Sequence, residues 1–262
     1  MCEVCVTTTL ETVSRGAGPA VALIHGWGLS AGVWEETAAA LARDFRVDCM
    51  DLPGHGRAAG EGRLGDLDTL AGRMAATLPP EGAALVGWSL GGLVALQTAV
   101  RHPGRVRRVV LVAATPRFVQ GPDWPHAMRR PVLDAFAQGL ARDFRATLNR
   151  FLALQFHGVE GAPAAVRALR ARLAAAPPAP AALEEGLALL RESDLRGALA
   201  GLDCPVHALL GGYDTLVPAA VGADLEALRP GMEVRVMPRA GHAPFLSHGE
   251  RFVSELRSLL HA

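Results

Sequence analysis

The apolar positions of this chain fall into short unbroken runs closed by glycine-rich turns, the pattern of strands buried on both faces of a parallel sheet. Val21-Ala22-Leu23-Ile24 is one such run and ends in His25-Gly26-Trp27-Gly28. Phe45 to Met50, Ala83 to Val86, Arg108 to Ala113, Pro205 to Leu210 and Glu233 to Pro238 are the others. Gly92 to Ala99, directly after one of them, reads as a helix. Strands alternating with helical stretches over residues 1–115 and again over 197–262 predict an α/β fold with a mostly parallel central sheet flanked by helices. Val4 to Leu10 reads as an antiparallel edge strand.

Residues 117–196 carry no strand pattern. Their apolar spacing predicts helices over Pro131–Ala141, Arg142–Gln155, Pro163–Ala175 and Ala181–Arg191, with Pro177-Pro178-Ala179-Pro180 breaking the third from the fourth. The expectation is one core domain, 1–116 and 197–262, split by a helical cap (lid) at 117–196 that roofs the site.

The chemistry sits where the pattern changes from strand to helix. Gly87-Trp88-Ser89-Leu90-Gly91 is a G-x-S-x-G pentapeptide between the strand at 83–86 and the helix at 92–99. A sharp turn there strains the serine backbone and leaves no room for side chains two residues either way, so the hydroxyl projects into a pocket at a helix N-terminus. A serine hydroxyl needs a base, and the base needs an orienting group. Asp214 and His242 each follow a predicted strand, in the chain order Ser, Asp, His that this geometry uses. Taken singly, Asp214 is also good turn chemistry and His242 also a loop histidine helping to cap the next helix. Taken together, the three predict a Ser89–His242–Asp214 triad. After the strand at 108–113 the chain offers Ala114-Thr115-Pro116 and no carboxylate before Asp123, so Asp214 keeps the acidic role.

Two backbone N–H groups are expected to face the developing oxyanion: Trp27, after the strand at 21–24, and Leu90, after the nucleophile. Trp27 is also expected as a pocket wall, and His25 as a brace for its loop. Asp51-Leu52-Pro53-Gly54-His55-Gly56-Arg57 makes a tight turn after the next strand. Neither glycine cluster reads as a phosphate loop, because the glycines of neither turn match G-x-G-x-x-G and no Gly-Lys-Ser/Thr is present.

Composition narrows the setting. The 262 residues are half hydrophobic and carry a net charge of zero, which gives a sizeable core and argues against nucleic acid as a partner. All 26 basic residues are arginine, a composition effect rather than a device. Cys2-x-x-Cys5 has no second pair to complete a zinc site, and Cys49 and Cys204 look incidental. No signal peptide opens the chain and no apolar run reaches membrane-spanning length, so a cytoplasmic monomer, without membrane or metal, is expected.

Within 142–172 stand six arginines, Arg142, Arg145, Arg150, Arg167, Arg170 and Arg172, against Asp143 and Glu160. That excess reads either as a solvated helix face or as a surface for an acidic partner. Phe151-Leu152-Ala153-Leu154-Gln155-Phe156 reads either as the cap's underside or as the lining of an acyl tunnel.

The triad, His25-Gly26-Trp27-Gly28-Leu29 and the cap resemble the α/β-hydrolase superfamily. More narrowly, Gly87-Trp88-Ser89-Leu90-Gly91-Gly92-Leu93-Val94-Ala95, Arg150-Phe151-Leu152-Ala153-Leu154-Gln155 and Ala243-Pro244-Phe245-Leu246-Ser247-His248 resemble the carboxylesterase family that demethylates pimeloyl-[acyl-carrier protein] methyl ester in biotin synthesis. The resemblance runs over nearly the whole chain. It implies Ser89, Asp214 and His242 as catalytic residues, without metal or organic cofactor. It also implies substrate contacts at Trp27, Ser89, Leu90, Phe151, Leu152, Ala153, Leu154, Gln155 and His242. Acyl-carrier protein is the implied partner, held by cap arginines. Arg150 and Arg167 match that pattern, whereas Ala146 and Pro163 stand where further arginines are expected, with Arg145 and Arg170 as substitutes. The rival readings are a general short-chain carboxylesterase or thioesterase, a C–C hydrolase of the same fold, and a ligand-binding protein without turnover. A serine nucleophile argues against epoxide hydrolases and haloalkane dehalogenases, which need a carboxylate there.

Overall fold

The computed structural model describes residues 9–156, 158, 159 and 162–261, without the side chains of 162–164. The Cys2-x-x-Cys5 pair lies outside the described residues, as do most of the strand expected at Val4–Leu10 and the acid Glu160.

Seven strands form one sheet: β1 (Glu11–Arg15), β2 (Ala20–Ile24), β3 (Arg46–Asp51), β4 (Ala83–Trp88), β5 (Val106–Val112), β6 (Val206–Gly211) and β7 (Glu233–Met237). Their order is β1-β3-β2-β4-β5-β6-β7, with β1 antiparallel to β3 and the other neighbours parallel. The antiparallel edge strand among the described residues is Glu11–Arg15, and Thr9 and Leu10, the described part of the expected Val4–Leu10, lie outside it. Its sequence hid it: an edge strand has one neighbour, and Glu-Thr-Val-Ser-Arg is mostly exposed and carries no apolar signal. By contrast every residue of β2 and β6 is buried, as an unbroken apolar run requires.

Helices cover both faces: α1 (Glu35–Leu41), α2 (Leu67–Thr77), α3 (Leu90–Arg101), α9 (Val221–Leu228) and α11 (Gly249–His261) belong to the sheet layer, with α8 (Arg196–Ala200) and α10 (Pro244–Ser247) as short connections. Between β5 and β6 the chain leaves the sheet for α4 (Arg130–Arg142), α5 (Phe144–Leu154), α6 (Ala162–Ala175) and α7 (Pro180–Glu192). The expected helix at Arg142–Gln155 starts two residues late, because Asp143 ends α4 and caps α5, its carboxylate accepting from Ala146 N–H at 3.0 Å.

The two roots of this helical insertion are stitched together at the surface. Leu195 N–H donates to Pro116 C=O at 2.9 Å. Arg196 pairs with Asp194 (2.7 Å) and Asp123 (2.8 Å), and Arg117 reaches Asp194 at 3.4 Å. Asp123, the rival carboxylate by sequence, is therefore an exposed partner of Arg196, while His242 pairs with Asp214.

Beneath the first loop lie two buried imidazoles. Leu52 N–H donates to His25 Nε2 (3.0 Å), which leaves Nδ1 to donate to Gly26 C=O (2.8 Å), so His25 ties the β2 loop to the β3 loop. His55 sits 5.2 Å away, ring to ring. Burial, and then the neighbouring His25, push His55 down to about 3, while burial also lowers His25 against the opposing pulls of its Gly26 hydrogen bond and of Asp51. An unfolded histidine titrates near 6.5. Between these values the unfolded chain holds a proton that the folded chain refuses, so stability is full above about pH 6.5 and falls as pH drops below it. For His55 alone the loss is about 2 kcal/mol by about pH 5. Urea unfolding at the two ends of that range measures it, and His55→Gln should fall less steeply on acidification. Equal slopes would mean His55 takes no part.

Candidate active site

The direction of the crossovers reverses between β2 and β4, which opens a crevice at the carboxyl ends of these strands. The sequence-predicted residues gather there. Ser89 stands between β4 and α3 at φ 53, ψ −119, a left-handed conformation that a side chain adopts only under strain. The strain is held by Ser89 N–H donating to Val112 C=O (3.0 Å) and Gly92 N–H donating to Ser89 C=O (2.9 Å). The flanking glycines make the approach possible. A Cβ on Gly87 would lie 2.3 Å from Gly91 O, and one on Gly91 would lie 2.6 Å from Ile24 O and 2.7 Å from His25 O.

Asp214 follows β6 and His242 follows β7, on neighbouring strands of the sheet. His242 Nδ1 lies 2.8 Å from Asp214 Oδ2, both side chains being essentially inaccessible. The other carboxylate oxygen accepts from Leu216 N–H (2.8 Å) and Val217 N–H (2.9 Å), which fixes the Asp214 rotamer. With its proton on Nδ1, His242 keeps a bare lone pair at Nε2, and that atom has no hydrogen-bond partner. Ser89 and His242 border one cavity, closed by Phe118, Met128, Leu133, Phe136, Phe151, Leu187, Leu190 and Leu216. It has room for about one water molecule.

Other expected contacts are placed differently. Trp27 is fully buried one layer behind the wall: its ring meets Phe151 edge-on at 4.8 Å, and its Nε1–H donates to Leu183 C=O at 2.8 Å. Phe151 and Phe136 form the cavity surface in its place. Leu90 begins α3, whose first N–H groups have no intrahelical acceptor. Of residues 151–155 only Phe151 lines the cavity. Leu152 turns to the opposite apolar cluster, Ala153 faces solvent and Leu154 is half-buried. A helix of 3.6 residues per turn cannot aim consecutive residues at one point. Gln155 is fully buried with neither end of its amide paired, and its backbone C=O accepts from His242 N–H at 2.9 Å.

Arg145 and Arg170 border one apolar groove between α5 and α6, together with Phe144, Leu148, Leu173 and Pro177. Arg167, one helical turn before Arg170, is exposed on α6. Arg150 lies apart from the groove, its guanidinium 5.9 Å from the Phe136 ring. Among the described residues none of the four has an acidic partner. A more open groove beside β1 and β3, lined by Arg15, Ser30, Glu35, Cys49 and Arg57 among others, offers no thiolate: burial pushes the Cys49 thiol up to about 12. Among the described residues no three metal-ligating side chains come together.

Sequence reasoning missed the contributions of Leu187 and Leu190 from α7, though their spacing with Leu183 marks one helix face. It also missed Trp88, whose Nε1–H donates to His242 C=O at 2.7 Å.

A strained serine at a strand–helix turn, beside a carboxylate-oriented imidazole on a parallel sheet, defines the serine hydrolase class of ester-cleaving enzymes. The chain belongs to the α/β-hydrolase family, whose model, described as the alpha/beta hydrolase fold, matches residues 19–249. Among its curated relatives are proteins named pimeloyl-[acyl-carrier protein] methyl ester esterase. The one from Nitrosomonas europaea is 42% identical over 94% of this chain and 97% of its own length. The one from Klebsiella pneumoniae is 44% identical over 95% and 96%. Among solved structures, an esterase from Exiguobacterium antarcticum shares the fold at a TM-score of 0.85, with 22% identity over 97% of this chain and 96% of that one. No helix among the described residues is long and apolar enough to cross a membrane.

Proposed function

We propose that the protein is a carboxylesterase that hydrolyses the methyl ester of pimeloyl-[acyl-carrier protein], releasing methanol and leaving the free carboxylate on its carrier. The observation that carries the esterase part is the Asp214–His242 pair with its free Nε2 turned toward the cavity it shares with Ser89. The substrate rests on relatives of that name at 42–44% identity over the length of the chain.

In this reading Ser89 Oγ attacks the ester carbonyl while His242 Nε2 takes the hydroxyl proton, and Asp214 stabilises the imidazolium. The backbone N–H groups of Trp27 and Leu90 hold the oxyanion, each contributing a few kcal/mol. His242 returns the proton to the methoxide, methanol leaves, and a water activated by the same nitrogen frees Ser89. Residues 117–196 act as the cap over the core formed by 1–116 and 197–262. A pimeloyl chain exceeds the cavity, so binding requires the side chains of Phe136, Phe151, Leu187 and Leu190 to move apart.

Arg145, Arg150, Arg167 and Arg170 form the docking surface for the acidic carrier protein, with the groove between α5 and α6 at its centre. Such attraction between exposed charges acts over about 10 Å at 0.1 M salt. Hydrolysis of the carrier-bound ester should therefore show a higher kcat/KM than free dimethyl pimelate. The advantage should shrink with salt and by about 10-fold or more in Arg145→Ala/Arg170→Ala, with the free-ester rate unchanged. Equal rates on both substrates would make the protein a general short-chain esterase.

A further inference from the structure

The imidazole of His242 is oriented by Asp214, but its main chain is held by something else. On one side His242 N–H donates to Gln155 C=O (2.9 Å) at the end of α5, in the cap. On the other, Trp88 Nε1–H donates to His242 C=O (2.7 Å) from the residue directly before the nucleophile. The peptide unit of the base is gripped between the cap and the turn that carries Ser89. Gly241 lets the cap jaw close: a Cβ there would stand 2.4 Å from Gln155 O and 3.1 Å from Val159 Cγ2.

The aromatic cluster around Trp88 supplies an internal comparison. Trp34 and Trp88 are both fully buried, meet edge to face at 6.4 Å and both pack against Phe245. Their rings share that cluster, although the Trp88 ring also lies 5.7 Å from the His242 ring, and their N–H groups differ outright. Trp88 Nε1 donates to the base, whereas Trp34 Nε1 is buried without a partner. A buried indole N–H normally finds an acceptor. That the one which does so reaches across 154 positions to the base makes Trp88 more than filling.

We propose that Trp88 is a positioning residue for the catalytic base: its indole N–H, working against the Gln155 carbonyl, fixes the His242 peptide so that the ring is held at the cavity it shares with Ser89, and seating of the cap is thereby coupled to placement of the base. The proposal rests on the triad reading given above. Misplacement of a reacting group by about 1 Å costs up to about 100-fold in rate.

The test compares Trp88→Phe with Trp34→Phe in the full chain, following ester hydrolysis and the downfield proton resonance of His242 Nδ1–H. Trp88→Phe should lower kcat by about 10- to 100-fold with little change in KM, and broaden or shift the resonance. Trp34→Phe should leave both within about twofold, since it removes a donor that bonds to nothing. If Trp88→Phe does not fold, the benzothiophene analogue of tryptophan at position 88 replaces only the N–H by sulfur and carries the same expectation. Gly241→Ala, which pushes the cap jaw away, should reproduce the loss in kcat. Equal kcat values for the two Trp→Phe variants, or an unchanged resonance in Trp88→Phe, would overturn the proposal. His242→Gln separates this from failure of the triad itself: an active His242→Gln enzyme removes the base, while an inactive one beside a normal Trp88→Phe removes only the positioning role.

Discussion

Replacement of Ser89 by alanine is expected to abolish ester hydrolysis, lowering kcat by at least about 10⁴-fold while thermal unfolding stays close to that of the parent. The size follows from the site's economy. Among the described residues no second nucleophile borders the cavity: its other walls are apolar side chains and His242. Alanine removes one oxygen and relieves none of the φ 53 backbone, which is held by the Val112 and Gly92 hydrogen bonds rather than by the hydroxyl. Steady-state kinetics on a simple methyl ester, with a serine-reactive phosphonate to count sites, measures the effect. Turnover within about tenfold of the parent would mean that another group attacks the carbonyl.

The second large effect is steric. Gly91→Ala lies inside α3, where helix propensity alone favours alanine by roughly 0.5–1 kcal/mol. The close approach of β2 reverses that sign. The new methyl would meet the carbonyl oxygens of Ile24 and His25 at 2.6 and 2.7 Å, and both are backbone of a buried strand and its loop. The expected outcome is a loss of about 3 kcal/mol or more, with a displaced nucleophile turn. Gly72→Ala in α2 is the matched control, because its Cβ has open space and should gain up to about 1 kcal/mol. Urea unfolding of the pair decides it. A stabilised Gly91→Ala would show that helix and strand have room to part.

Much of this site was legible because its chemistry is tied to the ends of buried strands. An apolar run followed by a glycine turn marks a strand end, and Ser89, Asp214 and His242 each follow one. Depth is what the linear pattern does not encode. Trp27, at the end of β2, was expected as a pocket wall, but Phe136 and Phe151 from the insertion stand in front of it. Both rings come from helices whose rotation depends on packing rather than on local sequence. In the same way Phe151 faces the cavity while Leu152, equally apolar, serves the opposite cluster. The edge strand at Glu11–Arg15 escaped because one-sided pairing needs no hydrophobic run. Trp88 escaped because its acceptor is the backbone carbonyl of a residue far along the chain, and nothing in either segment announces the bond.

The most direct measurement is the intact mass of the carrier protein after incubation with this enzyme and a carrier-bound pimeloyl methyl ester, with Ser89→Ala as the blank. The predicted result is loss of one methylene's mass, the acyl thioester intact and methanol released in equal amount. Loss of the whole acyl group would identify a thioesterase, and an unchanged carrier would remove the substrate; either contradicts the account.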